Sequence, residues 1–299
     1  MKALREDLLN NGFVAIPSVF TESKIDELLL ETVRFCREPG SQLPKTHLLT
    51  NETRSPKIYE ELSDDELLAH FLALHFPHKM SPLFRSMLDS SELVQYLAEL
   101  IGSNVKCMQS MLFVKKSGKP GQTWHQDEHF IPTRDRSLTG VWIALDDATI
   151  ENGCLWVIPG SHHEAELYPV RPSTSEEYDG APEAFDYPHS PDEAVPVEVT
   201  RGSVVFFHGY LLHSSLKNRA EEGYRRALVH HYMSAESLLP WDCGGQIPVT
   251  RDKRDIVMVC GKDPYGWKGT EDVLKPYIRG EASSAQSIDQ QNMGQLLDG

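Results

Sequence analysis

Between residues 105 and 233 the chain is a succession of short, β-prone apolar runs separated by turn residues, and this pattern constrains the fold most. In 105–115, Val105, Cys107, Gln109, Met111, Phe113 and Lys115 alternate with Lys106, Met108, Ser110, Leu112 and Val114. A period of two sends the two sets to opposite faces of a strand. Further strands are expected over 139–145, 154–158, 195–199, 203–208 and 226–233, with breaks at Asp146-Asp147, Pro159-Gly160 and Arg201-Gly202. Many short strands with turns between them either close on themselves or pack as two sheets. Ahead of them, helical patterning covers 4–16, 22–38, 63–75 and 91–102. Asn11-Gly12 interrupts the first of these and leaves Phe13-Val14-Ala15-Ile16 as a short strand.

Bulk properties narrow the function classes. The 299 residues suffice for a sizeable core, and a formal net charge of -15 argues against nucleic-acid and anionic-membrane partners, which need a basic surface. Five widely spaced cysteines without a Cys-x-x-Cys pair read as reduced thiols. No apolar leader opens the chain, and no apolar run approaches the roughly 18 residues of a membrane span. The expectation is a cytoplasmic protein, monomer or homodimer, acting on a small molecule. One domain is expected over 1–280, with an acidic, Pro-rich insertion at 162–194 that could serve as a lid, and a polar tail at 281–299.

Within the strand-rich region lies Thr123-Trp124-His125-Gln126-Asp127-Glu128-His129. Side chains two apart on an extended segment point the same way, so His125 and Asp127 can share one metal ion. A His-x-Asp pair is expected about once by chance in a chain of this composition, so its context must carry the argument. A remote histidine would complete a two-His-one-carboxylate set, the open facial geometry of non-haem Fe(II) oxygenases. The run Phe207-His208-Gly209-Tyr210-Leu211-Leu212-His213-Ser214-Ser215 offers two candidates, His208 and His213. An acidic cosubstrate would need a cation, and Arg225 and Arg226, adjacent on a strand, point to opposite faces.

The stretch from Leu138 to Thr149, Leu-Thr-Gly-Val-Trp-Ile-Ala-Leu-Asp-Asp-Ala-Thr, continues through Glu151-Asn152-Gly153-Cys154 to Ile158-Pro159-Gly160-Ser161-His162. Following a His-Gln-Asp, it resembles the signature of the phytanoyl-CoA dioxygenase family of Fe(II)/2-oxoglutarate oxygenases. Asn11-Gly12-Phe13-Val14-Ala15-Ile16-Pro17 and Asp263-Pro264-Tyr265-Gly266-Trp267 are similar to segments of the same family. The resemblance implies a mainly β, double-stranded β-helix (jelly-roll) core with helices packed outside. It implies Fe(II) held by His125, Asp127 and His213, the last followed by Ser215 and Asn218 as in the family. It implies 2-oxoglutarate anchored by Arg225 in a Gly-Tyr-Arg run, among Met111, Trp142, Ser215 and Lys115. Gln109 and His129 are the expected substrate contacts. With O2 as the second cosubstrate, the implied reaction hydroxylates an aliphatic carbon and releases succinate and CO2. The two alternatives are a non-catalytic jelly-roll module that binds metal or 2-oxoglutarate, and a cupin-like metalloenzyme that needs no cosubstrate.

Overall fold

The computed structural model describes residues 2–37, 61–237, 256–272 and 274–280; the expected tail at 281–299 lies outside them. In chain order the elements begin with α1 (Lys2–Asn11), β1 (Phe13–Ile16), α2 (Glu22–Arg37), α3 (Asp64–Leu68) and β2 (Phe71–His75). Two further helices, α4 (Pro82–Met87) and α5 (Ser91–Leu100), precede β3 (Val105–Lys116), β4 (Gln122–His125) and the one-turn α6 (Asp127–Phe130). Then come β5 (Thr139–Ala144), β6 (Leu155–Val157), β7 (Val170–Pro172), β8 (Pro182–Ala184), β9 (Val195–Val197), β10 (Val204–His208) and β11 (His213–Ser215). The long β12 (Tyr224–Ser234), β13 (Val257–Cys260) and β14 (Tyr277–Gly280) complete them.

Two antiparallel sheets face one another. The larger has eight strands in the order β1-β10-β5-β12-β3-β2-β14, with β13 also on β3; the smaller runs β4-β11-β6-β9. Strand alternation decides what each face meets. On β12, Leu228 and Tyr232 face outward into a core shared with Ile25, Leu28, Phe84, Leu93 and Leu97 of the helices. Ala227 and Val229 face inward and pack with Trp142, Leu155, Val157 and Phe207 between the sheets. A buried valine, leucine or phenylalanine among them contributes roughly 1.5–3 kcal/mol, so a slip by one residue would undo both cores at once. This is the double-stranded β-helix that the resemblance implies, with the helices on the outside of the larger sheet. Among the described residues no helix is long and apolar enough to cross a membrane.

One expectation here needs correction. The helical pattern over 63–75 yields a helix only at Asp64–Leu68, capped by a reciprocal Ser63–Glu66 box; Phe71–His75 is a strand. Its apolar residues fit either period, and tertiary pairing decides. β2 is bonded on one side to β3, with Leu74 opposite Leu112 and His75 opposite Met111, and on the other to β14. The 162–194 insertion contains the β7–β8 hairpin, and its Tyr168 and Ala184 pack with Ile158 and Leu212.

Candidate metal centre and cosubstrate pocket

His125 ends β4 and His213 opens β11, and the pairing of these strands sets the two residues directly opposite one another. Each Nδ1 lies close to the backbone carbonyl two residues earlier, Thr123 at 2.7 Å and Leu211 at 3.0 Å. A carbonyl can only accept, so Nδ1 carries the proton in both rings and each Nε2 keeps a free lone pair. Gln126 continues the extended backbone, and Asp127 is the first residue of α6. Its Oδ1 lies 3.6 Å from both Nε2 atoms. The three ligating atoms lie within 4.8 Å of one another, and His208 is not among them. His208 instead accepts from the Tyr210 backbone N–H at 3.1 Å and packs against His162.

Two imidazole nitrogens and one carboxylate oxygen converging on a point would suit a divalent Fe(II) and would leave positions open for other ligands. The electrostatics agree with that fit. Burial alone would raise the Asp127 carboxyl, but the imidazoles of His231, His213 and His125 outweigh it and hold it well below the usual carboxylate range. Burial, then the neighbouring His125, pushes His213 down to about 4, so the ring is neutral near pH 7.

Sequence reasoning missed the residues that aim this triad. His231, on the inner face of β12, holds the second Asp127 oxygen, Oδ2, at 2.9 Å from its Nε2. The alternation of His230 and His231 places only one of them on that face, which was legible; the partner 104 residues away was not. Gln126 is a clasp, donating from Nε2 to the carbonyls of Glu166 and Tyr210 at 2.8 Å and accepting from the Tyr168 N–H at 2.9 Å. Gly140 lies opposite Phe207, where a Cβ would run into the phenyl ring, and that ring packs 4.8 Å from the His213 imidazole.

The two arginines separate as the alternation requires. Arg226 forms a bidentate pair with Asp146, at 2.8 and 2.6 Å. Arg225 is buried between the sheets with its guanidinium 5.5 Å from the Trp142 ring, and its Nε has no hydrogen-bond partner among the described residues. Trp142 is in register with Val229, so the Arg225 side chain leans along β12 toward the His231 end. Lys115 lies opposite Arg225 but donates to Gly153 O at 3.2 Å, Ser215 Oγ at 2.9 Å and Leu216 O at 2.7 Å. Its three ammonium protons are thereby committed to protein acceptors, and it braces Ser215. Met111 faces inward beside Val229, and Gln109 donates to its sulfur at 3.0 Å. His129 is exposed, two residues past Asp127, beside Phe130. Behind Arg225 a cavity of about 20 Å³ is bounded by Phe113, Gly121, Asp179 and Arg279.

Comparison with known proteins bears on the family and the fold. The profile of the family described as "Phytanoyl-CoA dioxygenase (PhyH)" matches residues 8–227. The chain is 34% identical over 164 residues to rice "Phytanoyl-CoA dioxygenase 1", covering 54% of this chain and 57% of the relative. The match thus spans little more than half of that protein. Among solved structures, the "non-heme monooxygenase; ThoJ apo" shares the fold with a TM-score of 0.65 at 19% identity, covering 99% of both chains. The epimerase SnoN "in complex with Fe3+, alpha ketoglutarate and nogalamycin RO" aligns with a TM-score of 0.59 at 19% identity, covering 85% of this chain and 94% of that one.

Proposed function

Because the chain belongs to the phytanoyl-CoA dioxygenase family, we propose that it is an Fe(II)- and 2-oxoglutarate-dependent dioxygenase that hydroxylates an aliphatic carbon of a small organic molecule. The observation that carries this reading is the convergence of His125 Nε2, Asp127 Oδ1 and His213 Nε2 between the sheets, with a buried guanidinium on the same inner face. Bound Fe(II) and 2-oxoglutarate supply the oxidising power from O2, with succinate and CO2 as by-products.

The chain's own residues do the rest. Arg225 takes the distal carboxylate of the cosubstrate. Its Nε lacks a partner, and burial has lowered the guanidinium to about 10, so a carboxylate meets a cation already stripped of water. Trp142 stacks beneath it, and Met111 and Ser215 line the pocket. Lys115 acts as a brace, with no proton left for the cosubstrate. A cupin-like enzyme or module without cosubstrate would have no use for an uncompensated interior arginine. Asp127 supports hydroxylation over halogenation, since a carboxylate there occupies the position a halide would need. The 162–194 insertion is the wall that keeps water from the centre. Gln126 ties it down between the two ligands, and Arg279 binds it at Asp179 through Nη1 at 2.8 Å and Nη2 at 2.7 Å.

The test is anaerobic addition of Fe(II) and 2-oxoglutarate, followed by exposure to air. The expected result is a visible metal-to-cosubstrate charge-transfer band and then succinate. No band and no succinate would sink the proposal.

A further inference from the structure

The end of the chamber behind Arg225 is closed by parts of the chain far apart in sequence. Across the inner face of the larger sheet, Arg279 lies in register with Ala73, Phe113 and Ala227, one row from the Lys115–Arg225 pair. Ala73 and Ala227 end at Cβ, and beside them is the cavity of about 20 Å³, room for one or two waters. Lys115, Arg225, Asp179 and Arg279 all line it.

Among the described residues lining this cavity, Asp179 is the acidic one, and it comes from the 162–194 insertion. Its N–H donates to Gly121 O at 2.9 Å. Gly121 in turn is pressed on Ser215, since a Cβ there would fall 1.8 Å from the Ser215 carbonyl oxygen. The insertion is thereby laid against a residue of the cosubstrate pocket. The Asp179 side chain is only 8% exposed, so water screens its charge little. Burial and then Arg225 push the Lys115 ammonium well below its usual range, and Asp179 works against them. A bare carboxylate in this position would repel a dicarboxylate arriving at Arg225. Arg279 answers it, donating from Nη1 to Asp179 Oδ2 at 2.8 Å and from Nη2 to the Asp179 carbonyl at 2.7 Å. Glu177, two residues earlier, pairs with Arg219 at 2.7 Å and does not line the cavity.

Resting on the oxygenase reading, we propose that Arg279 is a positioning residue for 2-oxoglutarate: it neutralises Asp179 and so leaves Arg225 free to take the distal carboxylate. The pocket is then incomplete without β14, which lies beyond residue 227, where the family match ends. Counting Arg225, Arg279 and Asp179, the parent carries one net positive charge at this end of the pocket. Arg279→Met would leave none and Asp179→Asn two, while the double variant returns to one.

The test measures 2-oxoglutarate binding by titration calorimetry on protein loaded with Zn(II), which is redox-inert. At low ionic strength Arg279→Met is expected to raise Kd about tenfold, and Asp179→Asn to lower it about threefold. The double variant should bind within about twofold of the parent, and Zn(II) affinity should be unchanged throughout. An ion pair that only fastens the insertion behaves differently, because either single substitution breaks it and both would weaken binding. That pattern, a double variant as weak as Arg279→Met, or no change in any Kd would overturn the proposal. Should Arg279→Met fail to fold, the Asp179→Asn variant decides alone: a lower Kd supports the proposal, and an equal or higher one overturns it. Failure of the oxygenase reading looks different, because the Zn(II)-loaded parent would then not bind 2-oxoglutarate at all.

Discussion

The residues that aim the centre are as consequential as those that form it. His231 fixes the Asp127 carboxylate through Oδ2, which leaves Oδ1 as the atom that meets His125 and His213. Partners of this kind are worth about 10–100-fold in metal affinity. His231→Ala should therefore weaken Mn(II) or Fe(II) binding by that factor in anaerobic calorimetry, and unchanged affinity would rule out the positioning role. Arg225 makes the complementary prediction. Arg225→Met removes a charge-assisted contact worth about 1.5–3 kcal/mol, so the KM for 2-oxoglutarate should rise about 10–150-fold with metal affinity retained. Arg226→Met should leave that KM unchanged, because its guanidinium is committed to Asp146.

At the scale of elements, β5 and β10 form a support beneath one of the candidate ligands, His213. Gly140 yields its side-chain space to Phe207, and Phe207 packs on His213. Gly140→Ala should cost about 1–3 kcal/mol in urea unfolding, as overpacking does, and should loosen metal binding as well. Stability and metal affinity both at parental values would contradict this arrangement. The same scale shows what could be read from the sequence. The alternation of 109–115 and of 225–231 follows the expected faces, so Arg225 and Arg226 separate, but a bulge at Met108 turns Val105 and Cys107 to the same side as Leu112 and Val114, against the expected alternation. Local patterns carry that information because a strand's period is local. β2 was misread because Leu67, Leu68, Phe71 and Leu74 satisfy a helical period, while its strand partners β3 and β14 lie far along the chain. The Gln126 clasp and the Asp127–His231 contact were illegible for the same reason, since each joins residues at least 40 apart.

At the scale of the molecule, buried neutral histidines set the response to acid. His230 is fully buried, bonded through Nδ1 to the Tyr232 hydroxyl at 2.9 Å, and burial with the neighbouring His78 and His231 pushes it down to about 3. The unfolded chain takes up that proton near pH 6.5, so stability is complete above that pH and is lost as pH falls toward the folded value. Tm should be level above pH 7 and decline from about pH 6.5 downward, and His230→Phe should flatten the decline. An equal slope in parent and variant would remove His230 from the account. β12 has a further consequence for how such a protein can change over time. Leu228 and Tyr232 belong to the core beneath the helices, while Arg225, Ala227, Val229 and His231 belong to the chamber between the sheets. Along this strand, a saturation library scored for both abundance and turnover should separate the two properties by parity. Outward positions should govern how much protein survives in the cell, and inward ones what that protein does. Specificity could then drift on one face under little pressure from folding, with the other face held constant.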